Sequence, residues 1–111
     1  MAITTHVLDV SLGQPARGVR VRLEREDNGA WELVGDGETN ADGRVTDPLA
    51  AGTLVAAMYR ITWETGAYFA ASHRPTFYPS VAVIFAVTTP IEHYHVPLLV
   101  SPFGFSTYRG S

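Results

Sequence analysis

Four histidines and eight basic residues, all of them arginine, set the chemical repertoire of this 111-residue chain, which has no cysteine. The densest cluster is Glu92-His93-Tyr94-His95-Val96-Pro97. On a β-strand alternate residues share a face and lie roughly 6.5–7 Å apart, so His93 and His95 point one way and Tyr94 and Val96 the other. Three readings of the pair stay open on spacing. It could hold a metal, but a catalytic zinc needs a third protein ligand, to be found in His6, His73 or a distant carboxylate. One ring could act as general acid or base if a neighbour orients it. Or both rings lie at a surface or interface and do no chemistry. His6, in Thr4-Thr5-His6-Val7-Leu8-Asp9, shares a strand face with Thr4, Leu8 and Val10. A lone strand histidine reads as structural, and Arg44, after the Asp42-Gly43 turn, reads as a solvated arginine.

Other chemistry is excluded by composition or context. Without cysteine there is no disulfide framework, thiolate metal site or Cys nucleophile. Without lysine there is no Schiff base and no P-loop. Asp36-x-Glu38-x-Asn40-x-Asp42-Gly43 resembles a calcium loop, but the frame begun at Glu38 puts Leu49 where a bidentate Glu belongs, and strands flank it. Gly35-x-Gly37 lacks a third glycine and a βαβ context. Ser106 and Ser111 sit in no Gly-x-Ser-x-Gly elbow. A net charge of −3 gives no basic field for nucleic acid. The N-terminus has no basic region followed by an apolar one, and the weakly charged stretch 75–91 is interrupted by Pro75, Pro79 and Pro90 and is too short for a bilayer. A soluble cytoplasmic protein without membrane attachment is the expectation.

The elements that must position these residues are strands. With 46% apolar and 17% charged residues, the chain is expected to fold as one domain over residues 1–111. In Val19-Arg20-Val21-Arg22-Leu23-Glu24 the alternation predicts a half-buried antiparallel strand. Strands are also predicted at 3–10, 31–34, 43–46, 53–64, 80–88, 92–101 and 103–108, the last two forming a closing hairpin across Ser101-Pro102. The segment 80–88 is apolar on both faces and is expected to be buried on both. Gly66 to His73 permits one short helix, which Pro75 would stop. Seven or eight short strands separated by turns predict an all-β sandwich with one small helix. Leu98, Leu99, Val100, Phe103 and Phe105 exceed what one small interior absorbs, so association through the last two strands is expected.

Three stretches carry a family resemblance: Thr5-His6-Val7-Leu8-Asp9, Asp42-Gly43-Arg44, and the block from His93 through Val96-Pro97-Leu98-Leu99 to Tyr108-Arg109-Gly110-Ser111. Together they resemble the 5-hydroxyisourate hydrolases, the transthyretin-related enzymes of purine catabolism, and the likeness spans essentially the whole chain. The closing Tyr-Arg-Gly-Ser is its most specific part. Val100 stands where leucine is usual, and Phe103 and Phe105 stand where tyrosines are often seen. The resemblance implies a transthyretin-like (prealbumin-like) β-sandwich of two four-stranded sheets, assembled as a homotetramer, a dimer of dimers, with sites in a channel between dimers. It implies that His6, Arg44 and His95 are catalytic and that His6, Arg44, Tyr108 and Ser111 bind substrate, with no cofactor and no metal. Transthyretin itself carries Lys and Glu where this chain has His6 and Arg44, and it lacks the Tyr-Arg-Gly-Ser ending. The implied reaction opens the ring of 5-hydroxyisourate to 2-oxo-4-hydroxy-4-carboxy-5-ureidoimidazoline. The rival reading is a non-catalytic carrier of a small aromatic ligand.

Overall fold

The apolar–polar alternation of the chain resolves into two sheets packed face to face in the computed structural model, which describes residues 2–111. In chain order the elements are β1 (Ala2–Asp9), β2 (Gln14–Pro15), β3 (Arg20–Asp27), β4 (Ala30–Glu38), β5 (Ala50–Ala51), β6 (Ala57–Trp63), α1 (Thr65–Ala71), β7 (Val81–Val87), β8 (Tyr94–Ser101) and β9 (Gly104–Thr107). One sheet runs β4-β3-β6-β7 and is antiparallel throughout. The other runs β2-β1-β8-β9, with β5 also on β1. The short β2 and β5 pair with opposite ends of β1, at Leu8↔Pro15 and Ala2↔Ala51, so together they stand in for one continuous outer strand.

The two ends of the chain meet in the middle of that second sheet. β1 and β8 pair in parallel, which sets Thr4 beside His95 and His6 beside Pro97. Ile3, Thr5, Val7 and Asp9 point into the sandwich, and Thr4, His6 and Leu8 point out. Val21, Leu23, Tyr59, Ile61 and Trp63 from the facing sheet complete the core. Thr5 locks the layers together: its hydroxyl donates to the Val96 carbonyl at 2.7 Å and accepts the Trp63 indole N–H at 3.1 Å. A buried hydroxyl needs such partners, and these fix the depth and rotation of the strand that carries Thr4 and His6. At the far end of β1 the fully buried Asp9 carboxylate accepts bonds from Ser11, Leu12, Tyr68 and Arg74, tying α1 to the site-bearing sheet.

Several expectations need correcting. Residues 43–46 form no strand and contribute a single bridge, Arg44 to His6, because the turn before them is held by side-chain bonds instead of a ladder. The long strand expected at 53–64 begins only at Ala57. β7 is not buried on both faces: it pairs only with β6, and Ala82, Ile84 and Ala86 face outward as an edge strand. The closing hairpin forms as β8–β9, with Leu98 and Val100 absorbed into the chain's own core while Phe103 and Phe105 stay exposed. Among the described residues no helix is long and apolar enough to cross a membrane.

Candidate active site

Asn40 builds the turn that carries Arg44. Its side-chain carbonyl accepts the backbone N–H groups of Asp42 and Arg44 at 2.9 and 3.2 Å, and its own N–H donates to the Arg44 carbonyl at 2.8 Å. Gly43 follows the bend at φ +76°, and a Cβ there would stand 2.3 Å from the Val7 carbonyl oxygen. Only glycine supports both demands. The Gly43 carbonyl then accepts the Val7 N–H at 2.8 Å, which stitches the turn to β1 and places Arg44 opposite His6. Arg44 is exposed, and its guanidinium makes no hydrogen bond or ion pair among the described residues.

The same turn fixes the state of His6. Its Nε2 lies 2.8 Å from the Asp42 carbonyl oxygen. A carbonyl only accepts, so this nitrogen carries the proton and Nδ1 of the neutral ring keeps the lone pair. His95, on the neighbouring strand, has its Nδ1 2.8 Å from the Thr4 hydroxyl, and that hydroxyl is also 3.2 Å from His93 Nε2. The two imidazoles lie nearly parallel, 6.5 Å apart. Burial pushes the His95 pKa below the ordinary histidine value, and the Arg44 charge, with the neighbouring rings of His6 and His93, pushes it the same way. The ring is therefore neutral at physiological pH.

The chain end folds back onto His95. Gly110 bridges it through a 2.8 Å bond from its N–H to the His95 carbonyl, and a Cβ on Gly110 would meet His95 Cδ2 at 2.7 Å. Arg109 reaches Glu92 at 2.7 Å and the His93 carbonyl at 3.1 Å, and its guanidinium caps the Tyr94 ring at 4.3 Å.

His6, Arg44 and His95 thus come together on the outer face of the β1–β8 sheet, although they are spread over nearly the whole chain. Tyr108 stands two residues before Gly110. It is exposed, its hydroxyl has no partner among the described residues, and with Val83, Phe85, Val96, Thr107 and Arg109 it borders a cavity of about 290 Å³ between the β7 and β9 edges. Ser111 is exposed at the chain end beside Gly110. No three metal-type side chains converge among the described residues, so His93 and His95 have no third ligand at hand. Spacing pointed to none of Thr4, Asn40 or Gly110 as parts of the site. Asn40 stands just before the Asp42-Gly43 turn and is a residue type suited to such turns, whereas the roles of Thr4 and Gly110 depend on strand register, which the sequence does not reveal.

Comparison with known proteins agrees with this architecture. The model described as the HIUase/Transthyretin family matches residues 3–110. The chain is 45% identical to the 5-hydroxyisourate hydrolase of Caulobacter vibrioides, over 98% of this chain and 97% of that protein. The structure of the Klebsiella pneumoniae 5-hydroxyisourate hydrolase superposes with a TM-score of 0.87 at 40% identity, covering all of both chains. Sea bream transthyretin, solved in complex with thyroxine, superposes with a TM-score of 0.91 at 26% identity, over 99% of this chain and 95% of that one. On its sequence and its sandwich of two sheets, the chain belongs to the HIUase/transthyretin family.

Proposed function

We propose that this protein hydrolyses 5-hydroxyisourate, opening its ring to 2-oxo-4-hydroxy-4-carboxy-5-ureidoimidazoline in urate degradation, and that it does so as one domain over residues 1–111. The observation that carries the reading is the convergence of two histidines and a guanidinium without a partner among the described residues, with one imidazole held neutral by burial and the Arg44 charge. Hydrolysis asks for that set of groups. A water must lose a proton as its oxygen attacks a ring carbonyl, and His6 Nδ1 carries a lone pair suited to take it. Negative charge then develops on the carbonyl oxygen, where a permanently cationic Arg44 stabilises it or holds the planar anionic ring. When the ring C–N bond breaks, the leaving nitrogen needs a proton, and His95 is placed to give it. Ser111 and Tyr108, the remaining members of the expected pocket, belong to the substrate side of this reading.

The cluster lies open on a sheet face, and a site of this kind gains a second wall from another copy. The bare edges of β7 and β9, with Ile84 and Phe105 exposed, support assembly as a homotetramer, a dimer of dimers. A cytoplasmic location accompanies this reading, with no nucleic-acid or membrane partner. The test is turnover of freshly generated 5-hydroxyisourate measured against its spontaneous decay. Acceleration that survives exhaustive chelation is expected. Binding without turnover would favour a small-ligand carrier, and loss of activity restored by zinc would favour a His93/His95 metal site.

A further inference from the structure

A single hydroxyl stands between two imidazoles on the sheet face: Thr4 Oγ1, 2.8 Å from His95 Nδ1 and 3.2 Å from His93 Nε2. Among the described residues it has no other partner. A hydroxyl has one proton to give. If Thr4 donates to His95, it must accept from His93, and both rings then carry their protons on Nε2. If Thr4 donates to His93, it must accept from His95, and both rings carry them on Nδ1. With both rings in their neutral forms, they are therefore locked into matching tautomers. Burial separates their roles: His95 is half-buried and packed beneath Gly110, while His93 is exposed.

We propose that Thr4 is a positioning residue of the hydrolytic site, tying the tautomer of His95 to that of His93 and giving the more buried ring a proton path to solvent. This rests on the hydrolase reading above. In the acid step His95 releases its Nε2 proton to the leaving nitrogen. Its Nδ1 takes the Thr4 hydroxyl proton, Thr4 takes the Nε2 proton of His93, and His93 takes one from water at Nδ1, the hydroxide left behind being neutralised by the proton that His6 took from the attacking water. Each group ends neutral, and one proton has moved from solvent to the leaving nitrogen. After product departs, the chain runs backwards: His95 Nε2 gains a proton from water and His93 Nδ1 releases one. His93 thereby has a purpose that its position outside the His6–Arg44–His95 cluster does not suggest. A threonine holds this place well, because a β-branched side chain on a strand has a restricted χ1 and keeps its oxygen in one direction.

Thr4→Val keeps the shape and β preference and removes the hydroxyl. It should lower kcat about tenfold with KM little changed, and Thr4→Ser should return most of the loss. The coupling itself is read from a double-mutant cycle: His93→Asn should cost several-fold in the wild-type background and nothing further in Thr4→Val. Additive losses, a wild-type kcat in Thr4→Val, or equal damage from Thr4→Ser would overturn the proposal. Nitrogen-15 NMR of the imidazoles at about pH 8, where unperturbed histidine is neutral, reads tautomers without substrate. The expected result is that Thr4→Val changes the tautomer balance of both rings together, and unchanged spectra would overturn the coupling. If the protein fails to turn over 5-hydroxyisourate while the spectra show the coupling, the hydrolase reading fails and the tautomer lock stands.

Discussion

His95 is neutral at physiological pH because its surroundings penalise the charged ring: burial first, then the Arg44 charge and the neighbouring rings of His6 and His93. The sign has a measurable consequence. With the folded-state pKa below the ordinary histidine value, His95 stays unprotonated further into acid than a free imidazole. Arg44→Gln removes that repelling charge, so the His95 titration followed by NMR should move up toward the ordinary value, and any acid limb of activity that follows His95 should move with it. A titration that stays in place would mean that burial alone sets the shift. The two adjacent histidines should also differ in weight. Replacing His95 by Asn removes a titratable ring from the reacting centre, and general acid–base contributions run about 10²–10⁴-fold. Replacing His93 by Asn should cost much less, because that ring acts only through Thr4. Equal losses in the two folded variants would reverse this assignment.

At the scale of elements, the tail makes the sharpest claim. Terminal residues are normally frayed, yet here Arg109 and Gly110 clasp the strand that carries His95. The Arg109–Glu92 pair is exposed on both sides and screened by water and salt, so it holds the tail without deciding the stability of the fold. Truncation after Thr107 should leave a folded protein whose hydrolysis falls at least about tenfold, or roughly 1.4 kcal/mol of transition-state stabilisation. Part of the loss is expected through Gly110, whose bare backbone lies against the His95 ring. Undiminished rates would remove the tail from the site. How legible these elements were depended on locality. The alternation around Val21 and the hairpin around Ser101-Pro102 are local signals, and both appear in place. The exposed face of β7 was misjudged because an apolar run looks the same on an edge strand as in a sheet interior. For the site, residue types identified His6, Arg44 and His95 as candidates only with the help of family likeness. The parallel register that brings Thr4 to His95 has no local signature.

Each sheet ends on two edge strands, β4 and β7 in one and β9 and the β2/β5 pair in the other, and Met58, Ile84 and Phe105 lie exposed on or next to β7 and β9. Edges of this kind invite pairing with another chain unless charge, proline or a covering segment blocks them. β7 itself, Val81–Val87, contains neither a charged residue nor a proline. Sedimentation at micromolar concentration should report about four chains. A clean monomer would sink both the closing-hairpin interface and the two-walled site built on it.

The parallel pairing of β1 with β8 also bears on how the protein comes into being. Thr4 meets His95 across 91 positions of chain, and Gly110 must arrive before the His95 ring is enclosed. Closing so long a loop is entropically costly and slow compared with forming hairpins. A nascent chain can assemble β3, β4, β6 and β7 as they emerge during synthesis, and His6 can meet the Asp42–Arg44 turn early, but the first strand must wait for β8 before His95 joins its face. Chains that stop before β8 thus lack the His95 half of the site however well their hairpins form.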